Sequence, residues 1–397
     1  MRLKDYLKLK NISHIQFSKV LEISPVSLSR YINGERFPEK KTLVKIYNET
    51  GGFVSPNDFC FRDEKEYFID EDEQKKIKKI HNHIQSGSRK YLGKAITLIE
   101  SSLKKDQIIS ERLLEQFKGN NKSIRIGITG VPGVGKSTFI ESFGSELIRK
   151  GFKIAVLAID PSSKFSGGSI LGDKTRMEKL SVNKNAFVRP SPSSGHLGGV
   201  AKRTSESILC LEEAGFDIIF VETMGVGQAE TEVYNMVDIF LVLLLPSGGD
   251  ELQGIKKGII EMADIIIVNK ADGQLKKSAE ITQREYKNAI HIIKKPRSYK
   301  NIGVFTCSSL NLSGMEQIWA FIESFIKERK KNKEFFVERD LQKIKRLWSF
   351  VDFKVKDFIS NELISKKEIK EFLENVKKNK LSLYSAARAI SNYMIKK

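Results

Sequence analysis

The chain has 397 residues, 40% of them apolar and 29% charged, and its mean hydropathy is -0.30. That length suggests two or three domains, and that balance excludes a disordered chain. The longest apolar run, Ile239 to Leu245, is far short of the roughly 18 residues of a membrane span. No secretory leader is visible at the N-terminus. Three cysteines, Cys60, Cys210 and Cys307, without CxxC spacing, argue against a disulfide framework and a thiolate zinc site. The expectation is a cytoplasmic protein that does not enter a membrane.

The net charge of +19 is unevenly spread. Residues 326–397 carry 20 basic and 10 acidic side chains, or +10, whereas residues 127–325 carry 23 and 22. In the tail the charges interleave with Leu341, Ile344, Leu347, Phe350, Val351 and Phe353 at helical spacing. Solvated helix faces account for that pattern better than a groove that tracks phosphates.

Residues 1–62 read as a small helical domain. A helix over 16–21 is followed by a turn, and a second helix starts after Ser24 as N-cap with Pro25 at its first position. It stops at Gly34, with Leu28 and Ile32 facing inward and Ser27, Arg30 and Asn33 outward. The segment resembles a Cro/repressor-type helix-turn-helix, whose second helix enters the major groove of DNA. The resemblance implies DNA contact through Ser27, Arg30 and Asn33. A small helical bundle that packs elsewhere is the other reading.

Residues 63–120 read as an acidic linker, with Asp70 to Glu73, followed by a helical stretch over about 75–118. From 121 to 333, apolar runs alternate with helical segments: 124–129, 154–159, 218–221, 239–245, 265–268 and 304–306. Continuous apolar runs fit strands buried on both faces of a mostly parallel sheet flanked by helices. Residues 334–397 close the chain as helices.

The segment Gly130-Val131-Pro132-Gly133-Val134-Gly135-Lys136-Ser137-Thr138 matches the P-loop pattern, directly after one strand and before an amphipathic helix. Glycines let the backbone wrap phosphates with its N–H groups turned inward, and the helix N-terminus favours negative charge. Lys136 is placed to reach the β- and γ-phosphates, and the Ser137 hydroxyl to ligate magnesium. Asn269-Lys270-Ala271-Asp272 follows a later strand. A carboxylate at Asp272 can accept from both N1–H and the 2-amino group of guanine, a donor pair that adenine lacks. Three acids at strand ends or in loops, Asp160, Asp173 and Glu222, are candidate magnesium ligands, since that ion takes oxygen donors and needs only one or two carboxylates.

From about residue 75 onward the chain resembles the MeaB/ArgK family of P-loop GTPases. The resemblance rests on the P-loop, on Asp160-Pro161-Ser162-Ser163, on Gly167 to Met177, on Arg189 to Gly195, on Val221 to Gln228 and on Gly249 to Gly258. It implies a P-loop NTPase fold that hydrolyses GTP to GDP with Mg2+. It implies magnesium-site roles for Asp160, Asp173 and Glu222, a second switch at Gly225 to Gln228, and a third over Asp250 to Lys257. Gln228 and Lys256 join Lys136 and Glu222 as implied catalytic residues, and Ser308 and Ser309 stand at the last guanine motif. The implied client is a cobalamin-dependent acyl-CoA mutase, and the C-terminal helices resemble a homodimerisation arm. The helix-turn-helix in front is not a usual part of that family. A GTP-sensing DNA-binding regulator and a kinase for amino-acid transport components are the competing functions. The five histidines are too scattered for a metal site, and His81 and His83 point to different helix faces.

Overall fold

The computed structural model of the protein describes residues 3–33, 36–54, 71–117, 122–160, 177–192, 197–223, 229–246, 257–290, 302–364 and 366–395, with Pro56, Phe59 and Gly119 besides. It divides into two compact units, Met1–Gln74 and Lys75–Lys397.

The first unit holds helices Leu3–Leu9, His14–Val20, Pro25–Asn33 and Lys40–Glu49. Ser13 opens the second helix with a capping box: its hydroxyl accepts from the Gln16 N–H at 3.2 Å, and its own N–H donates to Gln16 Oε1 at 3.0 Å. Ser24 caps the third helix, accepting from the Ser27 N–H at 3.1 Å. Leu28 is fully buried in a core with Tyr6, Phe17, Leu21, Tyr31 and Ile46. Ile32, expected beside Leu28, is only partly buried and packs at the core's edge, while Tyr31 goes inside. Positions three apart share a helix face as well as positions four apart, and the larger ring takes the inner place. Arg30 and Asn33 are exposed and Ser27 is half-buried. Gly34 lies outside the described residues.

The second unit is built on a seven-stranded sheet: β1 Ile124–Gly130, β2 Ile154–Asp160, β3 Ala186–Pro192, β4 Ile218–Glu222, β5 Ile239–Leu244, β6 Ile265–Val268 and β7 Gly303–Thr306. The order is β3-β2-β4-β1-β5-β6-β7, and every pairing is parallel. Strands β4, β5 and β6 are largely unbroken apolar runs because helices cover both faces, and β5 is buried at all six positions; β1, at the centre, carries Arg125 near its start. Strand β3 has no such run, since its sequence contains Arg189, Pro190 and Pro192. It is an edge strand, where a missing backbone N–H is tolerated, and its prolines pair with Ala158 and Asp160 of β2. The helical stretch before the sheet is three helices, Glu71–Gln85, Arg89–Glu100 and Lys104–Leu114. Gly87, in the left-handed region at φ 77°, ends the first of them.

An aspartate stands just before three of the strands, and its carboxylate sets the register of a neighbour. Asp217 Oδ2 accepts from the Lys153 N–H, Asp238 Oδ2 from the Arg125 N–H and Asp264 Oδ2 from the Phe240 N–H, each at 2.8 Å. Asp238 also anchors the long helix Glu334–Phe358. Arg339 of that helix donates to Asp238 Oδ1 at 2.8 Å and Oδ2 at 2.7 Å, and to Glu212 Oε1 at 3.2 Å. Burial alone would push the Asp238 carboxyl up, but the guanidinium of Arg339 holds it below the usual carboxylate range. Truncating Arg339 would leave the buried Asp238 carboxylate without its side-chain ion pair, a loss of about 3–5 kcal/mol, while Glu212 keeps its pair with Arg125.

Glu206 on helix Leu197–Glu213 is 4% exposed, with the Lys202 ammonium 3.8 Å away. Burial pushes its carboxyl up to about 7. The folded chain therefore binds this proton more tightly than the unfolded chain does, and stability is lost as pH rises from about 4.5 through 7. Glu206→Gln is expected to stabilise the protein by on the order of 2 kcal/mol at pH 8 and to be near neutral at pH 4. Urea unfolding at the two pH values checks this, and an equal effect at both would count against it.

Candidate nucleotide site

Because all seven strands run the same way, their carboxyl ends lie on one edge of the sheet, and the loops that leave that edge build the site. Gly130 ends β1 at φ 153°, where a Cβ would lie 2.5 Å from the Leu243 carbonyl oxygen. Backbone and backbone approach so closely that only glycine fits. Val131 to Gly133 turn outward, Val134 is fully buried, and Gly135, at φ 91°, leads into helix Lys136–Arg149. The first N–H groups of that helix open on the loop, as anion binding requires.

Lys136 folds back across the loop, and its ammonium donates to the carbonyls of Gly130 at 2.7 Å and Val131 at 3.3 Å. Burial pulls it below the usual lysine range, partly offset by the carboxylates of Glu222 and Glu230. Ser137 Oγ donates to Glu222 Oε1 at 3.1 Å, joining the helix start to the end of β4. These two oxygens, one at the helix start and one at the end of β4, are hard donors of the kind magnesium takes. Thr138 is exposed. Asp160 is the last residue of β2, at the same edge. Asp173, Gln228 and Lys256 lie outside the described residues, as do Gly225 and most of the third switch.

The guanine motif is joined to the P-loop through one side chain. Asn269, 1% exposed at the end of β6, donates from Nδ2 to the Val134 carbonyl at 2.9 Å. Its Oδ1 accepts from the Ser309 hydroxyl at 2.8 Å and the Ser309 N–H at 3.3 Å. Gly135 runs under this amide: a Cβ there would meet Asn269 Nδ2 at 3.0 Å and Lys270 Cε at 4.0 Å. Ser308 Oγ donates to Asp272 Oδ2, fixing the carboxylate in a half-buried position, and accepts from the Asn311 N–H at 3.1 Å. Ser142 of the P-loop helix donates to the Ser309 carbonyl at 2.6 Å. The P-loop, Asn269 to Asp272 and Ser308–Ser309 thus form one connected wall.

Two residues of this site were not singled out by the sequence. Glu230 is fully buried, receives the Thr129 hydroxyl at 3.5 Å and acts on Lys136 through its charge. Its place just after Gln228 was the available signal, but an acid in the first turn of a helix is as readily a dipole partner. Ser142, one of several polar residues on an amphipathic helix, carried none. Histidines 81 and 83 part as expected: His81 bonds Glu213 at 3.0 Å and His83 stacks edge-on against Tyr91.

A parallel sheet with a phosphate cradle behind its central strand and a fixed carboxylate that suits guanine defines the class as a guanine-selecting P-loop NTPase. The family model described as methylmalonyl-CoA mutase-associated GTPase MeaB matches residues 92–364. GTPase ArgK of Escherichia coli is 49% identical over 245 residues, which cover 61% of this chain and 73% of that one. The mouse protein named methylmalonic aciduria type A homolog, mitochondrial, is 40% identical over 294 residues, 71% of each chain. A solved structure described as a LAO/AO transport system kinase aligns with TM-score 0.62 at 35% identity, covering 80% of this chain and 97% of that one. A helix-turn-helix model matches residues 3–51. The chain belongs to the MeaB family of GTPases and is a GTP hydrolase with an added N-terminal helix-turn-helix region.

Asp272→Asn exchanges an acceptor oxygen for an amine that faces guanine's own donors. GTP affinity is expected to fall by roughly 100-fold or more, with recovery on a xanthine nucleotide, whose 2-position is a carbonyl. Competition binding with the two nucleotides measures it, and unchanged GTP affinity would remove Asp272 from the base pocket.

Proposed function

We propose that the protein is a GTP-driven conformational switch for a cobalamin-dependent acyl-CoA mutase, and that nucleotide turnover gates loading and protection of the mutase cofactor. The observation that carries this reading is the MeaB match over residues 92–364, whose family is described by its association with methylmalonyl-CoA mutase. In hydrolysis, the oxygen of a water attacks the γ-phosphorus in line, the bond to the β,γ-bridging oxygen breaks, and GDP leaves with the bond electrons. The water's proton passes to the released phosphate or to solvent. Lys136 and the P-loop N–H groups stabilise the charge on the phosphates. Ser137 and Glu222 would hold Mg2+, with Asp160 and Asp173 as the other proposed ligands, and the ion would supply further positive charge against the phosphates. Gln228 and Lys256 are proposed to order the water and complete the site.

Phosphate release from GTP is expected to be slow alone and accelerated by the mutase from the same organism, with ATP not used. Turnover that ignores the mutase would overturn the client assignment and keep the GTPase. Label appearing on a protein acceptor instead of in solution would favour the kinase reading.

The long helix supports a homodimer. Val337, Leu341, Ile344, Trp348, Val351, Val355 and Phe358 follow alternate spacings of four and three residues, and all are between 36% and 62% exposed. They form a coiled-coil-type seam on the face opposite Arg339, Gln342 and Arg346. One such seam can pair with its own copy about a two-fold axis. Leu341→Glu with Trp348→Glu is expected to convert a dimer into a 45.1 kDa monomer in light scattering, with turnover per site retained. A monomeric parent chain would refute the arm's proposed role.

A second reading is favoured by the helix-turn-helix match over residues 3–51 and the exposed Arg30 and Asn33. We propose that residues 1–60 contact DNA through Ser27, Arg30 and Asn33, a dimer supplying two half-site readers.

A further inference from the structure

The edge of the sheet opposite the P-loop holds a cavity of about 360 Å³, between helix Leu197–Glu213, the residues that lead into β5 and helix Glu334–Phe358. Six basic side chains and two acidic ones line it. Much of that charge is already matched. Arg125 donates to Glu212 at 2.9 and 2.8 Å, Arg339 is held by Asp238 and Glu212, and Lys343 pairs with Asp340 at 2.9 Å. Three cations are held more loosely. Lys345 reaches only the neutral amide oxygen of Asn235, at 3.0 Å. Lys202 lies 4.6 Å from the Phe353 ring centroid and 5.2 Å from that of Phe350, with the carboxylates of Glu206 and Glu111 at 3.8 and 4.0 Å.

Arg346 is the most telling. It is half-buried and makes no hydrogen bond or ion pair with any described residue. Burial and the like charge of Arg125 pull it below the usual arginine range, partly offset by the charges of Glu212 and Glu206, neither of which bonds it. A guanidinium taken partly out of water beside another guanidinium is a cost unless an anion completes it. The cavity also has an apolar wall, with Ile208, Leu209, Met236 and Phe350 among its residues. Its volume falls within the range of small-molecule sites, and apolar walls with a few convergent charges are their usual make-up.

We propose that this cavity binds a small phosphate-bearing molecule with an apolar or aromatic part, the phosphate on Arg346, Lys345 and Lys202 and the rest against Phe350. The site is separate from the GTP site. Arg125 and Gly130 stand five residues apart on β1, so roughly 17 Å of strand divides the two. The arrangement also explains why helix Glu334–Phe358 turns its basic face, and not its apolar one, toward the sheet. The guanidinium and ammonium groups there form a binding surface in addition to the Arg339 anchor.

The test uses the full chain saturated with GDP and Mg2+, so that the P-loop is filled, and AMP as probe in calorimetry. AMP is expected to bind one site per chain without releasing GDP, while adenosine, which lacks the phosphate, does not bind measurably. Arg346→Ala is expected to weaken AMP binding by roughly 10- to 100-fold, the range for losing a charge-assisted hydrogen bond. Lys345→Glu, at an exposed rim position that leaves the core intact, is expected to weaken it as well. Basal GTP turnover stays at the parent value in both variants. No saturable AMP binding, binding that displaces GDP, adenosine binding equal to AMP, or full affinity in both variants would each overturn the proposal.

Discussion

Everything in the second unit follows from one constraint: seven strands all point the same way. The carboxyl ends of β1, β2, β4, β6 and β7 then meet on a single edge, and the loops leaving them supply Gly130 to Ser137, Asp160, Glu222, Asn269 to Asp272 and Ser308 to Ser309. Segments nearly two hundred residues apart in sequence become one wall. The amino ends meet on the opposite edge, where Asp217, Asp238 and Asp264 accept neighbouring backbone N–H groups and fix the register that the first edge depends on. The two edges are therefore chemically unlike. One offers N–H groups and an ammonium to phosphate, and the other gathers carboxylates and guanidinium groups in pairs.

The site is held by neutral amide and hydroxyl contacts more than by charge. Asn269 ties the Val134 carbonyl to Ser309, and Ser308 orients Asp272. A buried amide with donor and acceptor both used can be satisfied in only one arrangement, which gives the two loops a fixed spacing. Ion pairs do the corresponding work at the far edge, where Arg339 locks the long helix to Asp238 and Glu212. That anchoring turns the apolar seam of the same helix outward. The helix thus buries arginine and exposes tryptophan, and the exposed seam is the face that the proposed dimer uses.

Much of the fold could be read from patterns that repeat. Unbroken apolar runs gave six of the seven strands, since strands covered on both faces tolerate little else. Strand β3 escaped because an edge strand can carry Pro190 and Pro192 and an arginine. Ile32 and Tyr31 exchanged places because helical spacing fixes a face and not which of two neighbours fills it. The P-loop and Asn269 to Asp272 were legible because their chemistry is local: glycines, lysine, serine and carboxylate act within a few residues of one another.

The sequence by itself determined the class of reaction, the base that is read and the family to which the chain belongs, because these depend on short runs whose geometry is set by the backbone they carry. Only the tertiary structure decided that Glu230 stands by Lys136, that Asn269 reaches Val134, and that Arg346 lines a cavity beside Arg125. Those relations join residues from different strands and helices. Their distances arise from sheet order and helix packing, and no local spacing encodes them.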